Sequence, residues 1–316
     1  MRLVSLKTQV GSSAGVVVDD EVLDLAEAVA VLGEDPLPST LKGVIEGGDA
    51  ALDRLRRIID KVASSDTTMG ALRARSALVP FTDAVVGAPI PDPTHVLSCG
   101  MSYRQHLHEM GGTPPDTPTA FLKSPAAVVG PGDPIVLPAQ APDMVDWEAE
   151  FCGVIGRHCH NVTEAEALDH IVGYTMINDV SARNWVRPMH ELQGLDATKA
   201  WDLNLLGKQF PSFCPLGPAI ATKDELDPTG VTFQLRLNGT LKQSACTDDL
   251  AFSLAYLVSY YSQWYHFRPG DVISTGTPGG VGMGERPFLF LKPGDEVTIT
   301  GDRIGTMTNP VVAADA

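Results

Sequence analysis

Asp146-Trp147-Glu148-Ala149-Glu150-Phe151-Cys152-Gly153-Val154-Ile155-Gly156-Arg157, the segment DWEAEFCGVIGR, sets three carboxylates two residues apart just before an apolar run. Side chains at i and i+2 of a strand share a face, so Asp146, Glu148 and Glu150 are expected to point the same way. Like charges on one face repel unless water screens them or a cation lies between them. The DxExE pattern therefore reads either as a solvated strand edge or as a cation site. Its continuation into FCGVI carries the strand into a core and favours the cation site.

Downstream, IVGYTMINDVSARNW (171–185) is an apolar strand that ends at Asn178-Asp179, with Ser181 and Arg183 following. A carboxylate at a strand end beside an arginine is either a structural ion pair or part of a site. Together with Glu148 and Glu150, Asp179 completes an all-oxygen set of three. Oxygen ligands select hard cations, so Mg²⁺ or Mn²⁺ is expected, with Ca²⁺ a further candidate. Upstream, Tyr103-Arg104-Gln105-His106-Leu107-His108-Glu109-Met110 places His106 and Glu109 three apart on a short predicted helix. The pair is either a surface contact or a general base with its orienting carboxylate. Gly111-Gly112 and the prolines after them suit a hinged segment that could close as a lid.

Around these segments the chain reads as mostly short strands separated by Gly and Pro. Residues 1–25 predict a small antiparallel sheet, and residues 39–64 a helix with Leu52, Leu55, Ile58, Ile59 and Val62 on one face. A Pro-rich crossing near 85–93 divides a small α+β unit, 1–85, from a larger unit, 86–316. VTFQLRLNGT followed by LKQSACT predicts a hairpin turning at Asn238-Gly239. Residues 248–265 predict an amphipathic helix capped by Thr247. Strands do not alternate regularly with long helices, so Rossmann and barrel readings fit poorly.

Composition narrows the function classes. With 23 Lys+Arg against 39 Asp+Glu, the net charge is −16 over 316 residues. Such a surface repels nucleic acid and anionic membranes, so an acidic ligand must meet positive charge supplied locally. No stretch has the roughly 18–20 apolar residues of a membrane helix. The N-terminus lacks a signal-peptide core, and five cysteines without a CxxC pair suit reduced thiols in the cytoplasm. Cys152, His158, Cys159 and His160 are too crowded for any usual zinc spacing. Gly11-Ser12-Ser13-Ala14-Gly15 matches a hydrolase elbow, but a second apolar strand follows it rather than a helix, which makes a hairpin turn the better reading. The run Gly276–Gly284 has no phosphate-loop register, though its bare backbone suits a close approach to a ligand.

SCGMSYRQHLHEMG, TAFLKSP, DWEAEFCGVIGR, NDVSARNW, LLGKQF with CPLGP, and RPGDVISTGTPGGVG stand in the order seen in the fumarylacetoacetate hydrolase superfamily, which residues 90–310 resemble. The resemblance implies a mainly β fold with some α, a mixed β-sandwich roll preceded by a small β-rich N-terminal domain. It also implies a homodimer with no nucleic-acid or membrane partner. By the same resemblance Glu148, Glu150 and Asp179 hold the metal, and His106 with Glu109 activates water. Lys123 stabilises a developing oxyanion or enolate, while Tyr103, Arg183, Lys208 and Thr277 bind a keto-acid substrate. The implied activity is hydrolysis of a C–C bond in an acylpyruvate- or fumarylpyruvate-like β-diketo acid, of the kind met in aromatic catabolism. The alternative is a lyase or isomerase: a 2-keto diacid decarboxylase, or a keto-acid hydratase or dehydratase. Ser102, Asn184, Val186 and Pro211 depart from the usual pattern, and the stretch from Val186 to Asn204 is longer than in compact relatives. These departures bear on the substrate rather than on the metal ligands.

Overall fold

The computed structural model describes residues 1–9, 11–109, 112–185 and 194–314. The first strands are β1 (Arg2–Thr8), β2 (Gly11–Val18) and β3 (Glu21–Asp24), followed by helices α1 (Leu25–Leu32), α2 (Leu41–Glu46), α3 (Gly48–Ala63) and α4 (Asp66–Ala74). Next come β4 (Leu78–Pro80), β5 (Val86–Gly87), β6 (Val96–Gly100), α5 (Arg104–Glu109), β7 (Thr119–Lys123), β8 (Val128–Val129), β9 (Ile135–Leu137), β10 (Val145–Asp146) and β11 (Ala149–Ile155). After α6 (Glu164–Ala167) follow β12 (Ile171–Asn178), β13 (Ser181–Ala182), α7 (Gly194–Leu206), β14 (Cys214–Thr222), β15 (Thr232–Leu237) and β16 (Thr240–Cys246). The chain closes with α8 (Leu254–Ser262), β17 (Val272–Ser274), β18 (Glu296–Gly301) and β19 (Gly305–Ala313).

β11 explains the layering. Its sequence AEFCGVI does not alternate, and all seven residues are buried, as expected of a strand covered on both faces. Phe151 and Ile155 face a core shared with Tyr174, Phe233 and Ile299. Cys152 and Val154 face a second core with Leu3, Val16, Leu55 and Ile58. Each such side chain contributes about 1.5–3 kcal/mol on burial. The large sheet runs β4-β3-β2-β1-β14-β12-β11-β17-β6-β7, with β5 added to β1 and β8 to β14. A second sheet, β16-β15-β18-β19-β9, covers one of its faces, and β10 with β13 forms a short ribbon. Neighbours are antiparallel except at β17–β6, β14–β8 and β19–β9. This is the mainly β, mixed-sheet architecture expected. β1 pairs with β14 through Leu3↔Ile220, so the N-terminal strands continue the large sheet, and α1 to α4 pack on its second face.

The hairpin β15–β16 turns at Asn238 (φ 50°) and Gly239 (φ 77°), as Asn-Gly predicts. Gly11–Gly15 lies within β2 of the β1–β2 hairpin, so the motif is strand rather than elbow. Three local expectations are corrected. The helix over 39–64 breaks at Gly47-Gly48, because Gly48 takes φ +61°, which ends α2 and restarts the chain as α3. The helix over 248–265 is shorter, and Ser253, not Thr247, caps it by accepting from the Tyr256 N–H. Thr247 instead donates to the Pro228 carbonyl and accepts from Val231 N–H. Third, Asp146 does not share a strand face with Glu148 and Glu150, because β10 ends at Asp146 and β11 begins at Ala149. Among the described residues no helix is long and apolar enough to cross a membrane.

Candidate active site

Two neighbouring strands bring the acidic residues together. β11 pairs with β12 so that Ala149 lies opposite Asn178. The Asn178 side-chain carbonyl accepts from Glu148 N–H at 2.9 Å, and Asp179 N–H donates to the Glu148 carbonyl at 2.8 Å. These bonds lock the start of one strand to the end of the other. Glu148, Glu150 and Asp179 consequently offer carboxylate oxygens within 4.8 Å of one another, and all three are buried.

Cations and hydroxyls converge on the cluster. Lys208 Nζ donates to Glu148 Oε2 and Asp179 Oδ2, each at 2.6 Å. Arg183 bridges Glu148 and Asp146, reaching the latter through Nε at 3.1 Å. Lys123 gives its hydrogens to Asp179 and to the carbonyls of Lys208 and Val180, and its side chain is fully buried. Asp146 also accepts from Trp147, Gly282 and Met283 N–H. Gly282 has to be glycine, since a Cβ there would come within 1.9 Å of the Leu289 carbonyl and 2.8 Å of Asp146.

Charge is not balanced. Four buried carboxylates (Asp146, Glu148, Glu150, Asp179) face three buried cations (Lys123, Arg183, Lys208). Glu150 carries the surplus: burial, then Asp179 and Glu148, push its carboxyl well above the usual range. Burial likewise raises Asp146 against the pull of Arg183. Asp179 moves the other way, because Lys123 and Lys208 outweigh its burial and hold it low. Burial opposes the charge of Lys208, but Asp179 and Glu148 overcome it and raise the ammonium. An all-oxygen triad with one uncompensated negative charge fits a hard divalent ion, which would take Glu148, Glu150 and Asp179 as ligands.

Of the triad, Glu148 lines a cleft of about 1450 Å³, together with His106, Arg183, Thr277, Gly279 and Gly280 among others. Of the residues expected at the site, His106, Glu148, Arg183 and Thr277 therefore face one space, while Glu150, Asp179, Lys123 and Lys208 are buried and Lys208 bonds both Glu148 and Asp179. Tyr103 is fully buried, its hydroxyl 3.5 Å from Thr275 Oγ1 and its ring edge-on to Phe233. The side chain of Glu109, Met110-Gly111 of the expected lid and Val186–Gln193 of the long segment lie outside the described residues.

Three contributors escaped the sequence reading. Ser98 Oγ lies 3.0 Å from Glu150 Oε2 and 3.2 Å from Asp179 Oδ2, its single hydrogen shared between them, and Ser274 donates to the same Glu150 oxygen. Gln243 accepts from Ala149 N–H and donates to Thr277 Oγ1 and the Pro278 carbonyl, fastening the glycine-rich loop to β11. The available signal was a buried-phase glutamine in the alternating strand LKQSACT.

The family model described as fumarylacetoacetate (FAA) hydrolase C-terminal matches residues 95–312. A Xenopus laevis protein named as a mitochondrial oxaloacetate tautomerase is 37% identical over 314 residues, covering 99% of this chain and 90% of its own. The oxaloacetate tautomerase YisK of Bacillus subtilis is 33% identical over 303 residues, 94% of this chain and 95% of its own. Among solved structures, fumarylacetoacetate hydrolase of Exiguobacterium antarcticum superposes with a TM-score of 0.77 at 29% identity over 99% of both chains. Maleylpyruvate hydrolase of Sphingobium sp. SYK-6, in complex with manganese(II) and pyruvate, gives 0.70 at 29% identity over the whole of both.

Proposed function

The chain belongs to the fumarylacetoacetate hydrolase family, and from that premise we propose that it is a divalent-metal enzyme interconverting the enol and keto forms of oxaloacetate or a close 2-keto diacid. The observation that carries this reading is the near full-length similarity to proteins named oxaloacetate tautomerases. The carboxylate triad at the cleft supports it. This favours the isomerase or lyase alternative over C–C hydrolysis of a β-diketo acid.

Mg²⁺ or Mn²⁺, held by Glu148, Glu150 and Asp179, would supply Lewis-acid polarisation of the substrate's keto and carboxylate oxygens. The chain's own groups do the rest. Arg183, at the cleft wall, can donate from Nη1, which its bonds to Glu148 and Asp146 do not use, to a carboxylate of the dianion. His106, half-buried on α5 and lining the same cleft, takes a proton from C3 of the keto form and returns it in the reverse direction. The proton that His106 takes from C3 passes to solvent, and a solvent proton is delivered to the C2 oxygen, so no atoms are gained or lost. Lys123 acts by holding Asp179 in place.

Hydrolysis of acylpyruvates is the second reading, favoured by His106 on the cleft wall and by the fold shared with maleylpyruvate hydrolase. It requires an activated water in addition to the base. The experiment is a panel with and without Mg²⁺ or Mn²⁺: ketonisation of enol-oxaloacetate, its decarboxylation, and hydrolysis of maleyl- and acylpyruvates. Metal-dependent acceleration of ketonisation above the buffer rate, exceeding any hydrolysis, is expected. Hydrolysis without ketonisation would overturn the proposal in favour of the second reading.

A further inference from the structure

The helix that carries His106 starts without a residue suited to cap it. α5 begins at Arg104, so Tyr103 precedes it, and tyrosine has no short side-chain acceptor for the first helical N–H groups. The Tyr103 side chain is instead buried beside Thr275, and Ser102 Oγ donates to the Gly100 carbonyl. The acceptor comes from elsewhere in the chain: Asp249 Oδ2 takes the Gln105 N–H at 3.0 Å. The turn bearing Asp249 holds the rest of the helix start as well. Tyr103 bridges to Leu250, Ala251 N–H donates to the Ser102 carbonyl at 2.7 Å, and Arg104 donates to the Leu250 and Ala251 carbonyls.

That turn is itself fixed. Thr247 ties it to Pro228 and Val231, and it directly follows β16, whose Gln243 fastens β11 and the glycine-rich loop. One hairpin therefore sets the base helix, the loop and the strand that carries Glu150 in a common frame. Asp249, half-buried, lines the cleft together with Gln105 and His106. We propose that Asp249 is a positioning residue for proton transfer: its carboxylate caps α5 from across the fold and so sets where His106 stands in the cleft. This role rests on His106 being the base of the keto–enol reaction. A cap needs an acceptor rather than a charge, so asparagine serves about as well as aspartate, whereas alanine cannot. Sequence spacing does not reveal the pair, because Asp249 and Gln105 are 144 residues apart.

The test is Mn²⁺-dependent ketonisation of enol-oxaloacetate, or turnover of whichever keto acid in the panel reacts, in Asp249→Ala, Asp249→Asn, His106→Ala and the Asp249→Ala/His106→Ala double variant. Asp249→Ala should lower kcat at least about tenfold, since displacing a reacting group by about 1 Å costs about 10²-fold. KM and Mn²⁺ affinity should change far less, because Asp249 is outside the triad and Arg183 is untouched. Asp249→Asn should recover most of the loss. In the His106→Ala background Asp249→Ala should cost nothing further, because residues that act as one unit are not additive, whereas a merely structural effect would add. Hydrogen exchange over residues 103–109 should quicken in Asp249→Ala and not in Asp249→Asn. Asp248→Ala, which removes an exposed neighbouring carboxylate, should leave turnover unchanged. Wild-type kcat in Asp249→Ala, no recovery in Asp249→Asn, or a further loss in the double variant would overturn the role of Asp249 and leave the base assignment standing. Wild-type turnover in His106→Ala would overturn the base assignment and the role of Asp249 with it.

Discussion

Lys208→Met removes one of the three cations that offset four buried carboxylates, raising the surplus negative charge from one to two. The lost partners are Glu148 Oε2 and Asp179 Oδ2, both 2.6 Å from the ammonium and both carried by residues of the ligand triad. Removing one partner from a buried ion pair costs about 3–5 kcal/mol. With an unfolding entropy of about 2.1 cal/mol/K per residue, 316 residues give roughly 0.66 kcal/mol/K. The variant should therefore melt about 5–8 °C below wild type in EDTA. Mg²⁺ at 100 times its Kd stabilises a single-site protein by about 2.7 kcal/mol, or about 4 °C here. In the variant the ion no longer shares its oxygens with the ammonium, so its gain should be larger and the deficit should narrow. Scanning calorimetry of both proteins, with EDTA and with Mg²⁺, measures all four values. An unchanged Tm in EDTA, or a deficit that Mg²⁺ does not narrow, would refute the charge argument.

Ser274→Ala deletes a donor to Glu150 and should weaken Mn²⁺ binding about 10–100-fold while leaving the fold intact; calorimetric affinity within twofold of wild type would count against a positioning role for Ser274. Because burial and the neighbouring Asp179 and Glu148 raise the Glu150 carboxyl, its proton competes with the ion from a higher pH than a free glutamate's would. Mn²⁺ affinity should thus be lower at pH 6 than at pH 8, and a flat profile would contradict this. His106→Ala should lower keto-acid turnover by about 10²–10⁴ without changing Mn²⁺ affinity, since His106 is outside the ligand set; wild-type turnover would remove it as the base. Burial pushes the Cys159 thiol up to about 11 and Cys214 up to about 12, and raises Cys99 and Cys152 as well. Only the half-buried Cys246 should react promptly with a disulfide reagent at pH 8, against five thiols after denaturation; two or more fast thiols in the native protein would be inconsistent with this core.

Local chemistry was legible in the chain itself. The Asn-Gly hairpin, the entry of the FCGVI strand into a core and the two acidic segments each follow from short-range rules of pleat, turn and charge, whereas burial on both faces of that strand came from the fold. Those rules brought Glu148, Glu150 and Asp179 into one candidate set beside a solvated-edge and an ion-pair reading, although Glu148 itself lies just before β11 rather than on its pleated face. They failed where a decision rested on contacts across the fold. Whether Asp146 joined the triad depended on the break after β10 and on Arg183, Gly282 and Met283 reaching it from elsewhere. The Ser98 and Ser274 contacts to Glu150 require β6 and β17 to lie side by side next to β11, which no local pattern states. Lys208 and Lys123 are lone lysines in sequence, and only packing turned their ammonium groups onto Asp179. Asp249 meets the start of α5 for the same reason. Periodicity constrains neighbours along one strand, whereas the balance of buried charge is set by which strands become neighbours. That is a property of the sheet order, and it was decided by the tertiary structure alone.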